Sequence, residues 1–156
     1  MLPRRQLIPP ISLHLPDGRT LRAWDFKQKK YLIIAFLDSG CDACADFLRR
    51  LVAHAPELRE KNAVVLIAFL EAPPPVLTEA LPAGIFAGAD YSGRGARAFL
   101  GRDALSPSGL QRRGVFAADR YGELFTQWIL AGHEFPPAGE IFSALAEMEI
   151  ACEECG

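Results

Sequence analysis

Tyr31-Leu32-Ile33-Ile34-Ala35-Phe36-Leu37-Asp38-Ser39-Gly40-Cys41-Asp42-Ala43-Cys44 decides how this chain folds. Its apolar run, from Tyr31 to Leu37, shows no alternation, the pattern of a strand covered on both faces. Phe47, Leu48, Leu51, Val52, Ala55 and Leu58 follow at helical spacing, with Arg49, Arg50, Glu57 and Arg59 largely on the other side. A buried strand thus delivers Cys41 and Cys44 to the start of a helix. Unpaired N–H groups and the helix dipole stabilise a thiolate there. The thiolate is the form of cysteine that attacks disulfides and peroxides. Two cysteines separated by two residues can also close on each other, so one can resolve what the other has bonded.

Working outward, Pro56 should kink or break the last turn of that helix. Ala63-Val64-Val65-Leu66-Ile67-Ala68-Phe69 is a second buried strand, which completes a strand–helix–strand unit with a right-handed crossover. Upstream, Ile11–Leu15 alternates, Pro16-Asp17-Gly18-Arg19 turns and Thr20–Trp24 returns, a hairpin pattern. Downstream, Ala72–Pro75 reads as a stiff loop, Ile85–Ala87 as a short strand and Ser92–Phe99 as a short helix interrupted by glycines. Ser106-Pro107-Ser108-Gly109 reads as loop. Gly114–Ala118, the turn Asp119-Arg120-Tyr121-Gly122 and Glu123–Leu130 read as a late hairpin. Pro136-Pro137 precedes a final amphipathic helix at about 138–149, with Ile141, Phe142, Leu145 and Met148 on one face. The fold class is α/β in three layers: a central mixed sheet, helices on both faces and an N-terminal hairpin.

At 156 residues the length fits one domain, read as 1–150, followed by a short tail, 151–156. Half the residues are hydrophobic, the formal charge is −2 and the pI is ≈ 5.9, which argues against a nucleic-acid surface. Pro9 and Pro10 interrupt any apolar leader core, and no apolar run reaches membrane-spanning length. These features predict a cytoplasmic protein. Four cysteines in two CxxC pairs then point to catalysis or metal rather than to a structural disulfide framework.

The element order, with CxxC at the first strand-to-helix junction, resembles the thioredoxin fold. It is most similar to the redoxin branch, which joins thioredoxin-like oxidoreductases with the alkyl hydroperoxide reductase and peroxiredoxin group. Leu15-Pro16-Asp17-Gly18-Arg19 with Trp24-Asp25-Phe26 resembles the entry hairpin of that group, and Asp119–Leu124 its late hairpin. The resemblance spans about 11–150. Departures are specific. Gly40 stands where thioredoxins carry Trp, Ala35 where they carry a buried acid, and Asp42-Ala43 where they carry Gly-Pro. No proline lies in Gln111-Arg112-Arg113-Gly114, where most of the family has a cis-proline. Arg113-Gly114-Val115-Phe116 instead resembles an Arg-Gly-x-Phe segment of peroxiredoxins, whose arginine stabilises thiolate and peroxide. The peroxidatic signature is echoed only in part, with Leu37 in place of its proline and Cys41 in place of its threonine.

The candidate catalytic residues are Cys41, Cys44 and Arg113. Cys41, at the helix cap, is the expected attacking thiol, and Cys44, one turn in, the resolver. Asp38, Asp42 and Asp46 crowd the turn and oppose a thiolate. Arg113 would offset them; its alternative role is a solvated loop charge beside Arg112. Cys152-Glu153-Glu154-Cys155 is read as a relay or resolving dithiol, as half a zinc site, or as idle thiols in a tail. His14, His54 and His133 read as ordinary surface or loop histidines. The expected activity is thiol–disulfide exchange, with a thiol peroxidase using Cys44 or Cys41 with Arg113, and non-catalytic metal or partner binding, as alternatives. Expected partners are a protein or small-molecule disulfide, a peroxide under the peroxidase alternative, and a thioredoxin-type electron donor. No cofactor, resident metal, nucleic acid or membrane is expected, and the chain is read as monomer or homodimer.

Overall fold

Strands β3, Tyr31–Phe36, and β4, Ala63–Phe69, are buried at every position, as their unbroken apolar runs require. They pair in parallel from Tyr31–Ala63 to Phe36–Ala68 and form the centre of the molecule. The computed structural model describes residues 2–130 and 134–155, with side chains described through 151. Around the central pair stand β1, Ser12–His14; β2, Thr20–Arg22; and β5, Ile85–Ala89. The late hairpin is β8, Arg113–Ala118, and β9, Leu124–Leu130. A separate two-stranded ribbon pairs β6, Leu105–Ser106, with β7, Gly109–Leu110. The main sheet has seven strands in the order β2-β1-β5-β4-β3-β8-β9. β5 joins β4 in parallel, whereas β8 runs antiparallel to β3, so the sheet is mixed.

Side chains of successive strand residues point to opposite faces, and two cores result. Ile33, Ala35, Val65 and Ile67 pack under α1, Asp42–Ala53, α2, Ala55–Glu60, and α5, Ala138–Cys155. Leu32, Ile34, Leu66 and Phe116 pack on the other face with Phe99 and Leu100 of α4, Arg94–Leu100. Phe36, Phe99 and Phe116 form a triad there with ring centroids 4.9 to 6.0 Å apart. The layers and the N-terminal hairpin are those expected from the sequence.

Several boundaries differ. α1 stops at Ala53 and α2 begins at Ala55 with Pro56 in its first turn, where a missing N–H is harmless. The hairpin return ends at Arg22, and Ala23–Phe26 coils into a 3-10 turn. The stiff proline loop leads into a single helical turn, α3, Pro75–Thr78. The Ser106–Gly109 loop is the tip of the β6–β7 ribbon. α5 continues to Cys155, so residues read as a tail belong to a helix. No helix among the described residues is long and apolar enough to cross a membrane.

Candidate active site

Cys41 is the N-cap of α1. Its backbone is still extended, at φ −105° and ψ 113°, and its Sγ accepts a hydrogen bond from the Cys44 N–H at 3.1 Å. Oxygen-bearing side chains usually fill this role; here sulfur does. A sulfur so placed faces free N–H groups and the positive end of the dipole, the setting that stabilises negative charge on it. The strand-to-cap path is short because Leu37 still donates to the Ala68 carbonyl, 3.0 Å away, leaving Asp38, Ser39 and Gly40 to make the turn.

Cys44 lies one turn in and is 1% exposed, against 8% for Cys41. Both are thiols, and both belong to the core cluster that holds Phe47 and Leu48. Burial pushes the Cys44 thiol up to about 12, and Cys41 beside it pushes the same way. The Asp38 N–H and the Arg113 charge pull in the other direction and do not prevail. The two sulfurs are therefore unequal. One lines the cleft at a helix cap, and the other is held neutral beneath it.

Arg113 opens β8, and the antiparallel register Phe36–Gly114 sets it beside the exit of β3. Its guanidinium pairs with the Asp38 carboxylate at 2.8 Å and interacts electrostatically with both sulfurs. Burial works against its charge, but Asp38 and the sulfurs outweigh that and raise its pKa above the ordinary arginine value. Its Nε is a buried donor without a hydrogen-bond partner among the described residues. Arg112, by contrast, is tied to the Leu100 carbonyl and to Asp103, each at 2.7 Å, away from the thiols. The structure separates two adjacent arginines that look alike in the sequence.

A cleft of ≈ 1130 Å³ opens over Cys41. Arg113 and Asp38 line it, as do Asp42, Asp46, Glu71 and Tyr91. Of the acids expected to crowd the thiols, Asp38 is neutralised by Arg113, and Asp46 pairs with Arg49. The sequence reading missed the Asp38 partnership and gave no role to Glu71 or Tyr91. The available signal was positional: Asp38 follows a strand whose neighbour begins with Arg113. Cys152 and Cys155 occupy the last turn of α5, but their side chains lie outside the described residues, as does His133. His54 contacts Glu57, and the His14 ring lies tilted against Tyr91 with centroids 5.5 Å apart. Among the described residues no group of three or more His, Cys, Asp or Glu is placed to hold a metal ion.

The sequence matches no protein-family model and no curated protein. Solved structures do resemble it. A reduced 2-Cys peroxiredoxin from Plasmodium vivax superposes with TM-score 0.77 at 14% identity, covering 96% of this chain and 98% of that one. A yeast mitochondrial 1-Cys peroxiredoxin gives 0.81 at 14% identity, covering 99% and 79%. A protein described as a thiol:disulfide interchange protein, DsbE, from Chlorobium tepidum gives 0.69 at 19%, covering 93% and 99%. Likeness at such low identity is a likeness of architecture, and it agrees with the sheet order and the cysteine-capped helix: the chain has the thioredoxin-like fold.

Proposed function

We propose that this protein is a thiol–disulfide oxidoreductase working through Cys41 and Cys44. The observation that carries the reading is the inequality of the two sulfurs: Cys41 caps α1 at the cleft, and Cys44 is buried with its thiol pushed up to about 12. The Cys41 thiolate attacks one sulfur of a substrate disulfide, forming a mixed disulfide and expelling the other sulfur as a thiolate that takes up a proton. The Cys44 thiol then loses its proton and attacks Cys41 Sγ. This releases the second substrate thiol and leaves a Cys41–Cys44 disulfide. Two electrons pass to the substrate, and an external dithiol of the thioredoxin type restores the pair. The solved relatives in fold include a protein described as a thiol:disulfide interchange protein, which supports the same chemistry.

A second reading has a specific observation behind it. Arg113 lines the cleft with Cys41 and its charge acts on both sulfurs, which suits stabilising a peroxide attacked there, and two relatives in fold are peroxiredoxins. Cys41 would then be oxidised to a sulfenic acid as the peroxide becomes water or an alcohol. Cys44 would condense with it, releasing water and forming the same disulfide. The two readings separate on rate. The reduced protein is mixed in turn with bis(2-hydroxyethyl) disulfide and with hydrogen peroxide, and loss of the protein's own thiols is followed by alkylating quenched samples and weighing the intact chain. Faster loss with the disulfide, abolished in Cys41→Ser, supports the exchange reading. Faster loss with peroxide supports the peroxidase reading, and loss with neither overturns both.

A further inference from the structure

At the end of the sheet opposite the thiols lies a second cavity, of ≈ 210 Å³. Cys41 lies past the exit of β3, whereas Leu32, near the start of that strand, lines this cavity with the turn Asp119–Gly122 that follows β8. The lining is apolar at depth: Ile11, Ala23 and Leu32 are buried, and Ile8, Pro9 and Phe26 are half-buried. The N-terminal segment walls one side. It is fixed there by the Ile8 N–H, which donates to the Gly122 carbonyl at 2.8 Å, and by the Ala23 N–H on the Ile11 carbonyl at 3.2 Å. Leu7, Trp24 and Tyr121 also line the cavity, yet they are 66%, 69% and 52% exposed. Large apolar side chains left in water are unremarkable singly, but three around one apolar hollow mark a ligand site.

The charge around this cavity is one-sided. Four cations line it, Arg22, Lys27, Lys30 and Arg120, against one acid, Asp119. Asp119 is engaged in its own turn, where its Oδ1 accepts from the N–H groups of Tyr121 at 2.8 Å and Glu123 at 3.0 Å. The neighbouring acids Asp25 and Glu123 do not line the cavity, and the Asp25 carboxylate accepts from the Arg22 N–H at 2.9 Å. Arg120 lies over the Tyr31 ring at 5.7 Å, and Lys27 Nζ sits 3.9 Å from the centre of the Trp24 ring. Lys27 and Lys30 are half-buried and have no ion pair among the described residues. Such lysines lay their stems on apolar surface and leave the ammonium at the rim.

We infer that this cavity binds a free alkanoate, with the tail against Leu32 and Phe26 and the carboxylate met by the ammonium groups of Lys27 and Lys30. The apolar depth selects the tail, and the excess of cations selects the head. The volume lies below the range of about 300–1,000 Å³ that drug-sized ligands fill, so the chain is short, roughly eight carbons or fewer. The inference does not rest on the exchange reading above, since no step of it involves Cys41.

The test is isothermal titration of the full chain with four probes: octanoate, neutral 1-octanol, cationic octylammonium, and acetate, which has the head without the tail. Octanoate is expected to bind one to one, about threefold or more tighter than octanol and tighter still than octylammonium, with no saturable heat from acetate. Raising salt from about 0.01 M to about 0.15 M should weaken octanoate and leave octanol unchanged. Lys27→Gln combined with Lys30→Gln should weaken octanoate roughly three- to tenfold at constant octanol affinity, the size of two exposed ion pairs. Trp24→Ala, at an exposed position, should weaken both. Equal affinity for octanoate, octanol and octylammonium, octanoate binding that survives both sets of substitutions, or no saturable octanoate binding would overturn the inference. So would binding to anionic phosphatidylglycerol vesicles with none to free octanoate, which would make this face a membrane-docking surface instead.

Discussion

At the scale of single residues, two neighbouring cysteines become chemically unequal. Cys44 is nearly inaccessible and its thiol is pushed up to about 12, so at neutral pH it is almost wholly protonated. Cys41 is the more accessible of the two, at a helix cap. Limited alkylation at mildly alkaline pH should thus label Cys41 first, and predominant labelling of Cys44 on peptide mapping would reverse their roles. Arg113 interacts with both sulfurs. Arg113→Ala should slow alkylation of Cys41 at pH 7 by roughly three- to tenfold without unfolding the chain, and an unchanged rate would return Arg113 to a structural role with Asp38. The cysteine pair and the arginine were legible from spacing and local pattern. The Asp38 ion pair was not, because whether an acid repels a thiolate or anchors a cation depends on which strand lies beside it. Arg113 comes from a strand far along the chain and meets Asp38 only through the β3–β8 register.

At the scale of elements, the buried strands read themselves, since unbroken apolar runs have few other uses in a chain of this length. Amphipathic α1 and the break at Pro56 were equally plain. What escaped was set by tertiary contact. The strand expected at Ile85–Ala87 continues through Gly88 to Ala89, because β1 lies alongside it. A Cβ on Gly88 would sit 2.8 Å from the His14 carbonyl oxygen and 3.1 Å from Leu13 Cβ. Gly88→Ala should therefore push the β1–β2 hairpin off the sheet edge and cost about 1–3 kcal/mol in urea denaturation. A cost below about 0.5 kcal/mol would mean that the hairpin is loosely held. The β6–β7 ribbon has no apolar periodicity to announce it. The extension of α5 to Cys155 runs through Ile150-Ala151-Cys152-Glu153-Glu154-Cys155, too short a stretch to show a helical period of its own.

At the scale of the whole molecule, the layers were legible and the strand order was not. Apolar runs say that strands are buried but not which strand lies beside which, and β2-β1-β5-β4-β3-β8-β9 required the fold itself. That order brings the ends of β3, β4 and β5 and the start of β8 to one rim, where the cleft opens. The buried thiol also ties redox state to global stability. Cys44 has a folded pKa of about 12, above the ordinary 9.0 that an unfolded chain would show. Folding favours its neutral form, so this contribution is whole below pH 9 and is lost as pH rises toward 12. The reduced protein should lose stability across that interval, in denaturation series run at stepped pH, relative to the protein with Cys41 and Cys44 joined, which has no such thiol to titrate. Parallel curves for the two forms would mean that Cys44 is not held neutral. The most direct test of the central claim, that Cys41 and Cys44 are one two-electron pair, is a non-reducing peptide map of the protein after oxidation by a small disulfide. The expected result is an intact mass lower by two hydrogens and a single linked peptide joining Cys41 to Cys44. A stable adduct on Cys41 with no internal bond, or a link from Cys41 to Cys152 or Cys155 in its place, would contradict it.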